Sequence, residues 1–229
     1  MPLFEPIDQI FCAVQSAVEE KRNNPTESVP DVPLGLDLED LGAPVAAMAI
    51  SDCAARAQYI AQVLSITTRN FKRGMRNAEG FLSTNRYLFW DMPLSVLRRC
   101  DPLPKHEFEI LPSSGVPVGF SVVIDYLEDT LSKVGEDEWT NDGISEVLSK
   151  AAKNISFHTL QYPEGGTARP AYLILRRALC GMDHGPGVAQ IMALLGRAET
   201  MKRVRALWDV DWSPAQNSRK ISGSVEKVL

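Results

Sequence analysis

The feature that most constrains the fold is the alternation of short apolar stretches with glycine and proline in the last third of the chain. After Pro170, an apolar stretch with helical spacing runs to Gly181. A second begins at Pro186 and stops at Gly196, and a third follows. Glycine is favoured just past a helix C-terminus, and proline in the first turn of a helix. The pattern predicts three short helices, at about residues 170–180, 186–195 and 198–208.

Helical periodicity also dominates the rest of the chain. Apolar residues recur at helical spacing over residues 6–22, 45–66, 123–134 and 144–151. For the last of these helices, Asn141 or Asp142 is the predicted N-cap. No pair of strands joined by a hairpin turn is evident. The sequence therefore predicts an all-α fold.

Breaks in this periodicity divide the chain. A Pro-rich, acidic stretch follows the first helix, and the region around residues 100–115 separates two helical parts. The aromatic-rich segment 81–90 is predicted to fill the core where those parts meet, with stacking of RNA bases as the alternative. The predicted organisation is an N-terminal helix with an acidic arm (1–44), a first helical subdomain (45–115), a second helical subdomain (116–212) and a polar tail (213–229).

Charge is unevenly distributed along the chain. The net charge is −5, yet from residue 165 to the end ten Lys and Arg stand against five Asp and Glu, a local charge of +5. The first 164 residues then carry −10. A polyanionic partner is therefore expected at the C-terminal third, and ordinary solvated helix faces are the alternative.

The cysteines and the N-terminus indicate the compartment. Cys12, Cys53, Cys100 and Cys180 are each at least forty residues from the next, which fits neither a disulfide framework nor a zinc site. No apolar run has the length of a membrane span, and the N-terminus lacks the pattern of a signal peptide or presequence. We expect a mitochondrial or cytoplasmic location and no membrane association.

The residues do not predict a self-sufficient catalytic site. The segment "GMDHGPGV" lacks the lysine and hydroxyl of a phosphate-binding loop. Cys180 and His184 could form a thiol and its base, but Gly181 breaks the helix between them. Three histidines spread over the chain give no metal cluster. We expect no catalytic residue, no metal and no cofactor.

The segment "LRRALCGMDHGPGVAQIMALLGRAETMKRVRAL", residues 175–207, resembles the C-terminal anticodon-binding region of bacterial and organellar-type glutamyl-tRNA synthetases. In that family an arginine and a short glycine stop precede a Gly-Pro pair, an apolar helix closing in Leu-Gly and a last helix rich in arginine. A looser similarity covers residues 45–210, and Cys180 stands where the family usually has threonine. The matching positions are Arg176, Ala178, Leu179, Gly181, Gly185, Pro186, Val188, Leu195, Gly196 and Arg203.

The resemblance implies two helical subdomains like the anticodon-binding region of a class I aminoacyl-tRNA synthetase. It implies the tRNA-binding part of a glutamate–tRNA ligase, with tRNA-Glu and a separate catalytic half or protein complex as partners. The family's two ATP-site motifs have no counterpart, so we expect no glutamate activation by this chain. The alternative is a helical scaffold or subunit that kept the fold and lost RNA recognition. The implied anticodon contacts are Arg176, Arg177, Gly185, Pro186, Val188 and Arg203.

The loop between Gly181 and Pro186 also favours RNA contacts on physical grounds. A helix that stops at Gly181 and restarts at Pro186 exposes backbone groups that can read the edges of unstacked bases. Glycine allows a base to approach the backbone closely. The alternative is a helical hairpin without RNA contacts. Phosphate contacts are expected at Arg69, Lys72, Arg73, Lys202 and Arg205, where the alternative is solvated charge.

Overall fold

The computed structural model describes residues 4–24, 41–67, 78–98, 108–110, 118–157, 170–182 and 185–209, and within these it confirms the predicted all-α class. The elements are α1 Phe4–Asn23, α2 Cys53–Thr67, α3 Ala78–Thr84, a 3-10 helix Arg86–Leu88, α4 Leu94–Arg98, β1 Phe108–Ile110, α5 Phe120–Ser132, α6 Asn141–Asn154, β2 Ile155–Phe157, α7 Pro170–Cys180 and α8 Val188–Ala206.

Helix α1 packs against α2 and α3. Its apolar stripe is buried as its spacing predicts, and the Phe11 ring stacks on Trp90 with ring centroids 5.0 Å apart. Arg56 of α2 holds α1 through two hydrogen bonds from its guanidinium to the Asp8 carboxylate, at 2.9 and 3.0 Å. The N-terminal helix therefore shares the core of the first helical part.

The start of α2 differs from the prediction of a helix from residue 45. Helix α2 begins at Cys53, and the Asp52 carboxylate accepts a hydrogen bond from the Ala54 N–H at 2.9 Å. Such a side chain satisfies one of the N–H groups that a helix start leaves unpaired. Upstream, the Val45 N–H donates to the Phe89 carbonyl at 3.0 Å. Val45 and Met48 are buried in a turn held against the aromatic segment, while Ile50 is exposed.

The aromatic segment fills the core, as predicted. Phe81, Tyr87, Phe89 and Trp90 are at most 1% exposed. The Phe81 and Phe89 rings meet edge to face. Because these rings are inside the protein, stacking on RNA bases is excluded for them.

A two-stranded antiparallel sheet is the element that the sequence did not predict. β1 pairs with β2, with Phe108 opposite Phe157 and Ile110 opposite Ile155. Each strand has three residues, and α5 and α6 lie between them in the sequence, so no hairpin signature connects them. The pairing joins the segment before α5 to the end of α6.

The C-terminal part is built around α8, which packs against α5, α6 and α7. Helix α6 begins differently from the prediction: its N-cap is Thr140, whose Oγ1 accepts a hydrogen bond from the Gly143 N–H at 3.2 Å. A β-carbon at Gly143 would lie 2.3 Å from the Glu138 carbonyl oxygen, so this turn requires glycine.

One continuous hydrophobic core includes side chains from both helical parts. Of the helices that the structure describes, none combines the length and the apolar character required to cross a membrane.

Candidate nucleic-acid interface

The connection between α7 and α8 is shaped by glycines with positive φ. Helix α7 ends at Cys180, and Gly181 follows with φ of 65° and donates its N–H to the Arg177 carbonyl at 2.8 Å. Gly185 has φ of 148° and is exposed. Residues with a β-carbon rarely adopt either conformation. The predicted glycine stop after α7 is confirmed.

Arg176 spans this connection from within α7. Its Nη1 donates a hydrogen bond to the carbonyl oxygen of Pro186 at 2.5 Å, and the side chain is half-buried. A β-carbon at Gly185 would lie 3.5 Å from that Nη1, an ordinary contact distance, so the constraint on Gly185 is conformational. Arg176, which is predicted to read bases, thus ties α7 to the backbone just before α8.

Helix α8 begins two residues after Pro186, not at Pro186 as predicted. Gly187 is its N-cap, and the Gly187 N–H donates to Oε1 of Gln190 at 3.1 Å. Gln190 was not among the predicted residues, although a Gln three residues after an N-cap is a known signal of a helix N-terminus. The first N–H groups of a helix have no partner within it and form its positive end. This end of α8 adjoins the exposed backbone of Gly185 and Gly187.

The side chains of Pro186 and Val188, both predicted anticodon contacts, are buried. Their rings and methyl groups anchor the start of α8 in the core, since burying apolar surface is favourable. These two positions can therefore offer an RNA only their backbone groups. Gly185 and Gly187, in contrast, expose their backbone.

Helix α8 is kinked at Gly196, where φ is 76° and ψ is 167°, so the predicted glycine stop is confirmed. The Met192 carbonyl, four residues before the kink, is a point of attachment for side chains from outside the first half of the helix. That carbonyl accepts from the Trp139 indole N–H at 3.1 Å and from Thr200 Oγ1 at 3.4 Å. The two halves of α8 are thereby held at a fixed angle.

Arg203, predicted as an anticodon contact, is 3% exposed and lies inside the protein. Its Nη1 donates to the Tyr87 and Leu179 carbonyls, both at 2.7 Å, and its Nη2 donates to the Trp90 carbonyl at 3.2 Å. Its Nε donates to Glu199 Oε1 at 2.8 Å. The prediction of an RNA contact is corrected: these internal partners bury the guanidinium and leave it no access to a ligand.

Lys202 and Arg205, predicted phosphate contacts, are 60% and 62% exposed. Lys202 forms ion pairs with Asp91 and with Glu199, and Arg205 pairs with Glu128 at 2.7 Å. Burial opposes the charge on Lys202, but its hydrogen bond to Asp91 and the nearby Glu199 raise its pKa overall. Both side chains can reach solvent while keeping internal partners.

Other predicted positions lie elsewhere. Arg177 is half-buried on α7. The predicted phosphate contacts Arg69, Lys72 and Arg73 lie outside the described residues, as does His184.

The basic excess of the C-terminal third is partly balanced within the fold. Acidic residues from other segments pair with it: Asp91 with Lys202, Glu128 with Arg205, and Glu136 with Arg197 at 3.7 Å. Arg197 also donates to the Val134 and Ser132 carbonyls, at 3.2 and 2.8 Å, at the end of α5. The charge available to a polyanion is therefore smaller than the residue count suggests.

The Cys180 thiol is not placed for nucleophilic chemistry. Its side chain is buried, and burial raises the pKa of the thiol to about 12. The reactive thiolate is therefore scarce at neutral pH. Cys12, Cys53 and Cys180 are all free thiols. Among the described residues, no group of three or more His, Cys, Asp or Glu side chains is arranged to hold a metal ion.

Comparisons with known proteins agree with this geometry. Residues 121–208 match the family model described as an anticodon binding domain. Glutamate–tRNA ligase 1 of Wolbachia pipientis wMel is 24% identical over 126 residues, 55% of this chain and 22% of the relative. Glutamate–tRNA ligase 2 of Wolbachia pipientis subsp. Culex pipiens is 29% identical over 85 residues, 37% of this chain and 17% of the relative.

A solved glutamate tRNA ligase from Elizabethkingia meningosepticum, in complex with its amino acid, aligns with a TM-score of 0.43 and 13% identity, covering 90% of this chain and 30% of that one. Over residues 121–208 the chain is therefore similar to an anticodon binding domain. The sequence matches support an anticodon-binding region of the glutamyl-tRNA synthetase type, as the resemblance predicted. The chain spans about a fifth of the length of the two curated relatives.

Proposed function

We propose that this chain is the tRNA-binding, anticodon-recognising part of a glutamate–tRNA ligase, with tRNA-Glu as its ligand. Two relatives that match are glutamate–tRNA ligases, and the match to the anticodon-binding family model includes the α7–α8 connection. One observation carries the proposal: Arg176 pins the Pro186 carbonyl beside the exposed backbone of Gly185. Backbone groups that are held in place at Gly185 and Pro186 need not be ordered on binding, which lowers the entropy cost of binding.

The loop offers three kinds of group to an unstacked base. The exposed glycine backbone at 185 and 187 lets a base approach closely. The positive end of α8 can donate N–H groups to a phosphate or to an acceptor on a base edge. Arg176 has five N–H donors, and one of them is hydrogen-bonded to Pro186 within the described residues. Its remaining donors suit the edge of a base.

Catalysis requires a further component in this proposal. The chain spans 22% and 17% of its curated relatives. ATP and glutamate binding would be supplied by a catalytic half or by a protein complex to which this chain delivers the tRNA anticodon. The free thiols of Cys12, Cys53 and Cys180 support a reducing compartment, mitochondrial or cytoplasmic.

The test is a fluorescence anisotropy titration of labelled tRNA-Glu with the chain at 50 and 200 mM salt, with a duplex RNA of equal length as competitor. We expect tRNA-Glu to bind more tightly than the non-specific range of roughly 10⁻⁴ to 10⁻⁶ M, and duplex RNA to compete poorly. Equal affinity for both RNAs, or no binding at 50 mM salt, would defeat the proposal and favour a helical scaffold without RNA recognition.

A further inference from the structure

We infer that Arg203 is a positioning residue for the α7–α8 loop: from inside the core, it fixes the helix end from which that loop departs. The consequence for RNA rests on the proposed function. The consequence for the loop itself does not, and can be measured without RNA.

Arg203 satisfies carbonyl groups that helix ends leave unpaired. Leu179 is the last residue but one of α7, and its carbonyl accepts from Arg203 Nη1 at 2.7 Å. Tyr87 lies in the 3-10 helix and Trp90 follows it, and the same guanidinium binds both carbonyls. The last carbonyls of a helix have no partner within it and form its negative end, which a cation stabilises. Arg203 therefore caps two helices at once.

The charge of Arg203 is balanced where it is buried. Glu199, one turn earlier on α8, accepts from Arg203 Nε at 2.8 Å, and the Asp91 carboxylate is 3.8 Å from Nη2. Lys202 pairs with both carboxylates. Two acids and two bases thus form one cluster, which meets the requirement that a buried charge be paired and hydrogen-bonded.

The position of Leu179 connects this cluster to the loop. Two residues further on, Gly181 turns the chain with φ of 65°, and Arg176, just before the last turn of α7, reaches across to Pro186. When the Leu179 carbonyl loses its partner, the last turn of α7 opens more readily, because helix ends open locally at low cost. Arg176 and Gly181 then lose their fixed position relative to α8.

Arg203→Lys tests this geometry because it keeps the positive charge and removes the planar, branched guanidinium that binds several acceptors at once. An ammonium group cannot reach three carbonyls and a carboxylate in the plane that the guanidinium occupies. Arg56→Lys is the matched control. The Arg56 guanidinium also donates to several acceptors, namely the Asp8 carboxylate and the Ile50 carbonyl at 2.9 Å, but Arg56 lies on α2. Glu199→Gln is a second variant, which removes only the counter-charge.

The readout is the labelling rate of Cys180, which adjoins Leu179. In a Cys12→Ser, Cys53→Ser, Cys100→Ser background, Cys180 is the only thiol, and its burial limits reaction to an opened state. Each rate is compared with the global unfolding free energy of the same variant. We expect Arg203→Lys to accelerate Cys180 labelling about tenfold more than its loss of global stability accounts for, and Glu199→Gln several-fold more. The excess arises because the end of α7 opens locally more often than the whole protein unfolds. Acceleration no greater than that of Arg56→Lys would overturn the inference.

An RNA arm separates this inference from the proposed function. With tRNA-Glu and an anticodon-swapped tRNA, Arg203→Lys should reduce the affinity ratio and leave the salt dependence unchanged, while Arg56→Lys should change neither. If the wild-type chain binds no tRNA, the proposed function fails, and Cys180 labelling still decides the role of Arg203. If labelling accelerates but the affinity ratio holds, Arg203 does not position the reading loop and the inference is overturned.

Discussion

The indole N–H of Trp139 donates a hydrogen bond to the carbonyl oxygen of Met192 at 3.1 Å, across 53 residues of sequence. This bond attaches the turn before α6 to the carbonyl four residues before the kink at Gly196. The kink is therefore built into the packing of the C-terminal part. It allows the second half of α8 to place Arg203 beside the end of α7.

Gly196→Ala should destabilise the protein although nothing lies within 4 Å of the added β-carbon. The φ and ψ of Gly196 fall in a region that only glycine adopts readily, at a cost of about 1–3 kcal/mol for other residues. Gly135→Ala is the control, because Gly135 lacks a positive φ and its added β-carbon would meet its nearest neighbour at 3.9 Å. Urea titration measures the free energy of unfolding of both variants, and equal values would contradict a strained kink at Gly196.

Arg203→Met and Arg205→Met should differ widely in stability, although the residues are two apart on α8. Arg203 is 3% exposed, and removing it leaves the Tyr87 and Leu179 carbonyls without the guanidinium and Glu199 with the more distant Lys202, which costs about 3–5 kcal/mol. The Arg205 side chain is 62% exposed, so its pair with Glu128 should contribute less than about 1 kcal/mol. Unfolding free energies from urea titration decide this, and similar losses would contradict the structural role assigned to Arg203.

Phe11→Ala should show that α1 belongs to the folded core. Phe11 is 3% exposed and stacks on Trp90, so the substitution leaves a cavity and should cost about 3–5 kcal/mol. The adjacent Cys12 is exposed, and Cys12→Ala should change stability by less than about 0.5 kcal/mol. A small effect of Phe11→Ala would mean that α1 is attached only loosely.

Stability should fall as the pH rises above 9, in part because of Cys180. Burial raises the pKa of this thiol from its ordinary value of 9.0 to about 12, so the folded state binds its proton more tightly than the unfolded state. The resulting stability is complete below about pH 9 and is lost between pH 9 and 12. Burial also raises the pKa values of Tyr59 and Tyr87, which adds to the loss.

The contribution of Cys180 is isolated by comparing the wild type with Cys180→Ala in urea at pH 8, 9 and 10. The wild type should lose up to about 1.4 kcal/mol more per pH unit above pH 9, the value of one proton bound differentially. Parallel curves for the two proteins would show that the thiol ionises as readily in the folded state as in the unfolded one.

Local sequence signals predicted much of this fold. The spacing of Ile7, Phe11, Val14 and Val18 identified the buried face of α1. Gly181 and Gly196 marked the ends of helical segments. Both have a positive φ, which glycine adopts far more readily than other residues, so the residue type alone predicted the break. The start of α2 was misplaced because Val45 and Met48 are buried from a turn beside the aromatic segment, which gives apolar spacing without a helix.

The role of Arg203 could not be read from the sequence. Its partners Tyr87 and Leu179 lie 116 and 24 residues away, and a helical position does not show whether an arginine faces solvent or a set of carbonyls. The pairing of β1 with β2 is hidden for the same reason, since each strand is too short to carry a pattern. The resemblance named both arginines as anticodon contacts, and the packing separates Arg176, at the loop, from Arg203, inside the core.

Anticodon reading by the α7–α8 loop is tested by titrating tRNA-Glu and an anticodon-swapped tRNA at fixed salt against the wild type and against Arg176→Ala, Arg177→Ala and Lys202→Ala. We expect the wild type to prefer tRNA-Glu. Arg176→Ala should lose about 1–3 kcal/mol for tRNA-Glu and most of the preference, while Lys202→Ala weakens both tRNAs alike. Equal affinity of the wild type for the two tRNAs, with Arg176→Ala behaving like Lys202→Ala, would contradict it.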